Sequence, residues 1–196
     1  RKMAERPGNL FPPLDHLHSA KAMQIPPHRD KRPKVGPEGW LNFLDEVGIE
    51  WTVLYPTRGL ASGKIVSLDY AVAACRAYNR WIVDYCAHCP DRLIGVAMLP
   101  MQSVEHAVQE LRYARNTLGL RSGFLRPNPY ADRKLHDPAY EPFWRAAEEF
   151  DFCIGLHEGG NSGMPTVGVD RFDGRGAQHI ISHTMEMMLA DRKSVV

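Results

Sequence analysis

The sequence predicts an α/β protein with a parallel sheet, and three observations carry that prediction. Short apolar runs of strand length alternate with longer segments whose apolar residues recur at helical spacing. The connections between them are short and marked by proline or glycine, as βαβ units require. Finally, the run Phe152-Cys153-Ile154-Gly155-Leu156 carries no charge until it ends at His157, Glu158, Gly159 and Gly160. An apolar run of this kind reads as a parallel strand covered on both faces, with chemistry at its tip.

Taken in order, the elements are these. The first 36 residues contain Pro7, Pro12, Pro13, Pro26, Pro27 and Pro33, a density that excludes a long helix. An irregular Pro-rich arm over 1–36 is therefore expected ahead of a (β/α) domain over 37–196. Pro37 suits the first turn of a helix striped by Trp40, Leu41, Phe43, Leu44 and Val47, and Gly48 ends it. Trp51 to Tyr55 is the first strand, closed by Pro56. Asp69 is placed to cap a long helix lined by Ala71, Ala74, Cys75, Tyr78, Ile82 and Tyr85, with Pro90 as its stop. Leu93 to Leu99 is the second strand. Ser103 then caps a helix carrying Val104, Ala107, Leu111 and Ala114, which Gly119 terminates.

Ser122 to Arg126 is the third strand. After a loop through Pro127 and Pro129, Pro138 opens a helix that buries Tyr140, Phe143, Trp144 and Ala147, and Phe152 to Leu156 is the fourth strand. A Gly-rich loop to Gly176 leads to a last helix with Ile180, Ile181, Thr184, Met187 and Met188 on one side. Such units fit either part of a (β/α)8 barrel, which takes about 250 residues when whole, or an open doubly wound sheet. The absence of an initiator Met and the end just after a helix favour a fragment, one expected to be inactive alone.

Composition narrows the function classes. A chain of 196 residues with 44% hydrophobic and 24% charged residues is large enough for one sizeable core. A formal net charge of +1 argues against a general polyanion binder, so no nucleic-acid partner is expected. The basic cluster Arg29, Lys31, Arg32 and Lys34 lies in the Pro-rich connector and reads as a solvated loop. No apolar stretch approaches the roughly 20 residues of a membrane helix, and the amino terminus has no signal-peptide core, so no membrane partner and a cytoplasmic location are expected. Cys75, Cys86, Cys89 and Cys153 are too few for a disulfide framework. Cys86 and Cys89 spell C-x-x-C without a second pair, and read as structural. Neither a P-loop nor G-x-G-x-x-G is present.

Several residues are candidates for chemistry. His157 falls at the carboxyl end of a strand, where α/β proteins build their sites; its alternative is an ordinary hydrogen-bonded loop residue. Gly159 and Gly160 permit close backbone approach to a ligand. His16 and His18 point the same way in extended backbone and can reach one metal ion, or they are two histidines of a surface loop. His179 and His183 share a helix face, as pocket or packing residues, without the glutamate of H-E-x-x-H.

Four segments resemble the amidohydrolase-related (amidohydrolase 2) family, which includes decarboxylases of the aminocarboxymuconate-semialdehyde and resorcylate types. They are Gly48-Ile49-Glu50-Trp51-Thr52-Val53-Leu54, Phe124-Leu125-Arg126-Pro127-Asn128-Pro129, Leu135-His136-Asp137-Pro138 ahead of Tyr140 and Trp144, and Gly155-Leu156-His157-Glu158-Gly159. The similarity runs from about Pro37 to Ala190. It implies a TIM-type (β/α)8 barrel, here partial, with a divalent metal at the carboxyl ends of the strands, zinc first and manganese as the alternative. It makes His157, as the histidine ending the fifth strand, a metal ligand. His16 and His18 match the first-strand ligand pair, unless that strand lies upstream of Arg1. The family's sixth-strand histidine and eighth-strand aspartate have no counterpart.

The resemblance thus implies a metal-dependent hydrolase or decarboxylase acting on a small carboxylated or cyclic organic substrate, and a homo-oligomer. A metal with an open position either activates water or polarises a substrate oxygen. Arg126 can hold a substrate carboxylate by bidentate hydrogen bonds, the alternative being a solvent-facing salt-bridge partner, and Gly159 joins it in substrate binding. Glu158 serves in proton transfer or in orienting His157, and His183 faces the pocket. The competing class is a non-catalytic, barrel-derived binding or assembly module.

Overall fold

The computed structural model describes residues 35–56 and 59–157. The Pro-rich arm therefore lies outside the described residues except for Val35 and Gly36, as do Glu158 and the predicted last helix.

Helix α1 (Pro37–Val47) begins at a proline and ends at Gly48, whose φ of 72° is the left-handed cap expected of glycine. Strand β1 (Thr52–Leu54) follows, and the residues after it wind into a 3-10 segment (Gly59–Lys64). Helix α2 (Leu68–Cys86) is capped by Ser67, which accepts a hydrogen bond from the Tyr70 amide, so Asp69 sits inside the first turn as a dipole-favoured acid and not as the cap. Strand β2 (Leu93–Gly95) and strand β3 (Ala97–Met98) replace the single predicted strand, because the ladder breaks at Val96. Helix α3 (Val104–Asn116) carries the Ser103 cap as expected. Strand β4 (Ser122–Leu125) precedes a loop and a 3-10 turn (Pro138–Tyr140) capped by Asp137. Helix α4 (Glu141–Glu149) leads into strand β5 (Cys153–Leu156).

All strand pairs are parallel: β1 with β2, then β3 with β4 and β4 with β5. The Val96 amide still donates to Leu54 O at 3.3 Å, which keeps the two ladders side by side across the break. This is the parallel βα succession of a barrel-type fold, in the part of it that is described.

The register divides the side chains between two faces. Leu54, Leu93, Ala97, Leu99 and Leu125 face the helices and join Ile82, Leu111, Ala114, Tyr140 and Phe143 in the main core. Gly95 is glycine because an added Cβ would lie 2.6 Å from Ile82 of α2. On the opposite face Val96, Met98 and Phe124 cluster with Tyr55 and Leu60. Val53 and Ile94, paired on that same face, are exposed. The burial on both faces expected of the run 152–156 is incomplete among the described residues: Cys153 is exposed and Ile154 to Leu156 are half-buried.

Two polar arrangements brace the helical layer. Asn79 and Glu110, both fully buried, are hydrogen-bonded at 2.8 Å, and Arg76 Nε reaches the other Glu110 oxygen at 2.8 Å. Arg92 donates to Glu50 O at 2.7 Å and pairs with Asp45 at 2.7 Å, tying the end of α1 to the start of β2.

Candidate functional site

Strand β4 and strand β5 run in register, Phe124 opposite Gly155 and Leu125 opposite Leu156. The ladder continues for one more bond, since the His157 amide donates to Leu125 O at 2.9 Å. Alternation therefore puts Arg126 and His157 beside each other at the carboxyl ends of adjacent strands, on the face that carries Phe124 and Gly155. That end of a parallel sheet is where side chains converge while the helices cover the other face.

His157 is half-buried. Its ring lies 5.5 Å from that of Tyr55, tilted by 50°. Tyr55 follows β1, and its ring also meets Phe124 edge-on at 6.4 Å and 77°. Burial raises the Tyr55 phenol above its usual range, and nearby Cys153 adds to the effect. No signal in the sequence marked Tyr55; its position one residue past a strand, ahead of Pro56, is the only trace.

Arg126 is 1% exposed, which removes the solvent-facing alternative. Its Nη1 donates to Leu60 O at 2.9 Å and its Nη2 to Asn128 Oδ1 at 2.8 Å, while its amide donates to the Tyr130 hydroxyl at 2.9 Å. The guanidinium thereby clamps the 3-10 segment after β1 onto the end of β4. Gln102 reinforces the clamp from the end of β3, donating to Ser62 O at 2.8 Å and Ile65 O at 3.2 Å. Asn128 and Tyr130, both buried, were legible only as loop residues.

Among the described residues no group of three or more His, Cys, Asp and Glu side chains is placed to hold a metal ion. His157 fits such a role by its type and place: a half-buried imidazole at a strand end, its backbone fixed by the bond to Leu125 O. The fit extends to that one donor. His16, His18, Glu158, Gly159, His179 and His183 lie outside the described residues. The four cysteines are free thiols and form no site, and burial pushes Cys86 up to about 11. Among the described residues no helix is long and apolar enough to cross a membrane.

Comparison with known proteins gives concordant results. A family profile described as amidohydrolase matches residues 15–191. The gamma-resorcylate decarboxylase of Rhizobium radiobacter is 33% identical over 122 residues, covering 60% of this chain and 37% of that relative. The chain thus spans little more than a third of the length of the curated relatives it matches. Among solved structures, a 2,6-dihydroxybenzoate decarboxylase from Rhizobium superposes with a TM-score of 0.54 at 28% identity, over 60% of this chain and 38% of that one. A dihydroxybenzoic acid decarboxylase from Polaromonas, with bound manganese and the inhibitor 2-nitroresorcinol, gives 0.56 at 26% identity, over 61% and 37%.

Proposed function

The chain belongs to the amidohydrolase family, and from that premise we propose that the protein is a metal-dependent decarboxylase of a small hydroxylated aromatic carboxylate. The observation that carries this reading is the side-by-side placement of Arg126 and His157 at the carboxyl ends of β4 and β5. A cation-bearing residue and a metal-ligating type at one strand end suit a substrate that presents a carboxylate next to a ring hydroxyl. The similarity to gamma-resorcylate and dihydroxybenzoate decarboxylases favours carboxylate loss over hydrolysis.

In this reading His157 holds the divalent metal together with His16 and His18. When bound, the ion supplies a Lewis acid that polarises a substrate oxygen. Manganese in the solved relative weighs against zinc, the first expectation from the sequence, and both ions belong in the test. Arg126 fixes the wall formed by Gly59–Lys64, and its bonds to Leu60 O and Asn128 Oδ1 compete with a substrate carboxylate for the guanidinium. Gly159 lets backbone approach the ring. Decarboxylation breaks the bond between ring and carboxylate carbon, leaves the electron pair on the ring, and requires a proton delivered there. Glu158 and His183 are the candidates for that delivery. Free cysteines accord with a cytoplasmic, reducing location, and a homo-oligomer acting on a small-molecule substrate is the proposed assembly.

The test is carbon dioxide release from 2,6-dihydroxybenzoate by the purified full-length protein with manganese or zinc. Metal-dependent release supports the proposal. Metal-dependent hydrolysis of a cyclic amide without any release would assign the other branch of the chemistry, and metal-independent ligand binding alone would favour the non-catalytic module.

A further inference from the structure

Tyr55 belongs to no strand or helix, yet it touches both Gly155 and His157 on β5 and its extension. We propose that Tyr55 is the positioning residue for the His157 imidazole, and that residue 155 is glycine in order to seat it. Gly155 and His157 are two residues apart in extended backbone and so lie on one face. The Tyr55 ring crosses that face from the end of β1. A Cβ added at Gly155 would collide with the Tyr55 hydroxyl and lie 3.2 Å from its Cζ. On the other side the ring is backed edge-on by Phe124, 6.4 Å away, the residue paired with Gly155.

Tyr55 is thereby held between a fixed aromatic ring and a strand without a side chain, and the third surface it meets is the imidazole, 5.5 Å distant. An imidazole turns about a broad, two-fold torsion unless something limits it. The aromatic contact contributes such a limit, at a separation where ring pairs attract. The functional meaning of the contact rests on the assignment of His157 under the proposed function, whereas the contact itself does not.

The experiment follows the His157 side-chain resonances in metal-free protein labelled at histidine, identified by their loss in His157→Ala. Tyr55→Phe keeps the ring and should leave those resonances near their original positions. Tyr55→Leu removes the ring and should shift them. Gly155→Ala should shift them in the native background and less when combined with Tyr55→Phe, because the nearest obstacle to the new methyl is the hydroxyl. Manganese, titrated alone, should bind about tenfold more weakly to Tyr55→Leu, the scale of lost support behind a ligand. Unmoved resonances in Tyr55→Leu would overturn the proposal. Should that variant fail to fold, equal shifts from Gly155→Ala with and without the hydroxyl would overturn it instead. If His157→Ala keeps full manganese affinity while Tyr55→Leu still moves the imidazole, the metal assignment fails and the positioning role stands.

Discussion

Asn79 meets both backbone polar groups of Met98: its Oδ1 accepts from the Met98 amide at 2.7 Å, and its Nδ2 donates to the Met98 carbonyl at 2.9 Å. A side chain from α2 thus serves β3 as a neighbouring strand would, just beyond the break at Val96. The same Nδ2 reaches Glu110 at 2.8 Å, which joins strand, α2 and α3 in one buried network. Replacing Asn79 by Leu leaves a buried amide, a carbonyl and a carboxylate oxygen without this partner, at about 1–3 kcal/mol for each group. A loss of about 3 kcal/mol in urea denaturation is expected, with a smaller loss for Glu110→Gln.

Arg126→Leu should loosen the segment Gly59–Lys64, since the bond to Leu60 O that joins positions sixty-six residues apart is lost and the Gln102 bonds to Ser62 and Ile65 do not replace it. The expected signature is faster tryptic cleavage after Lys64, with a stability loss of about 2 kcal/mol from the hydrogen bonds of a buried charge. Arg126→Lys should recover little, because an ammonium lacks the planar fork that reaches Leu60 and Asn128 together. Cleavage at the native rate in both variants would remove the clamp.

Alkali should destabilise the fold early. Burial, aided by Glu110, pushes the Cys75 thiol from 9.0 up to about 12, and burial likewise pushes Tyr140 up to about 12. The Tyr140 hydroxyl donates to Met101 O at 2.8 Å, a bond its ionisation removes. Both groups stay protonated in the folded state after the unfolded chain has lost the proton, so stability is complete below about pH 9 and falls as pH rises toward 12. Cys75→Ala should flatten the lower part of that fall, read from denaturation midpoints between pH 8 and 11.

Periodicity carried most of the fold. The stripes of α1 to α4 and the four apolar runs placed the described α-helices and strands, because half-buried elements must repeat with their own period. The run 93–99 is nevertheless split into two strands, the segment from Pro138 opens as a 3-10 turn ahead of α4, and the 3-10 segment Gly59–Lys64 left no apolar pattern to read. Three features escaped for physical reasons. Ser67 and Asp69 are both good caps, and only the backbone at Ser67 decides between them. The break at Val96 falls just before the Met98 groups that Asn79 binds, and Asn79 is a polar residue that apolar patterning passes over. Tyr55 acts through contacts with β4 and β5, about seventy to a hundred residues along the chain, and no local pattern encodes such a meeting. At the site, the strand end of His157 was legible from the charge-free run before it, whereas the burial of Arg126 was not, since a lone arginine after a strand more often faces solvent.

The central claim is that His157 is a metal ligand, and metal content measures it most directly. The protein should retain a divalent ion, manganese or zinc, through desalting, and His157→Ala should lose it while keeping its far-ultraviolet spectrum. Equal metal content and equal manganese affinity in the native protein and in His157→Ala would contradict the account.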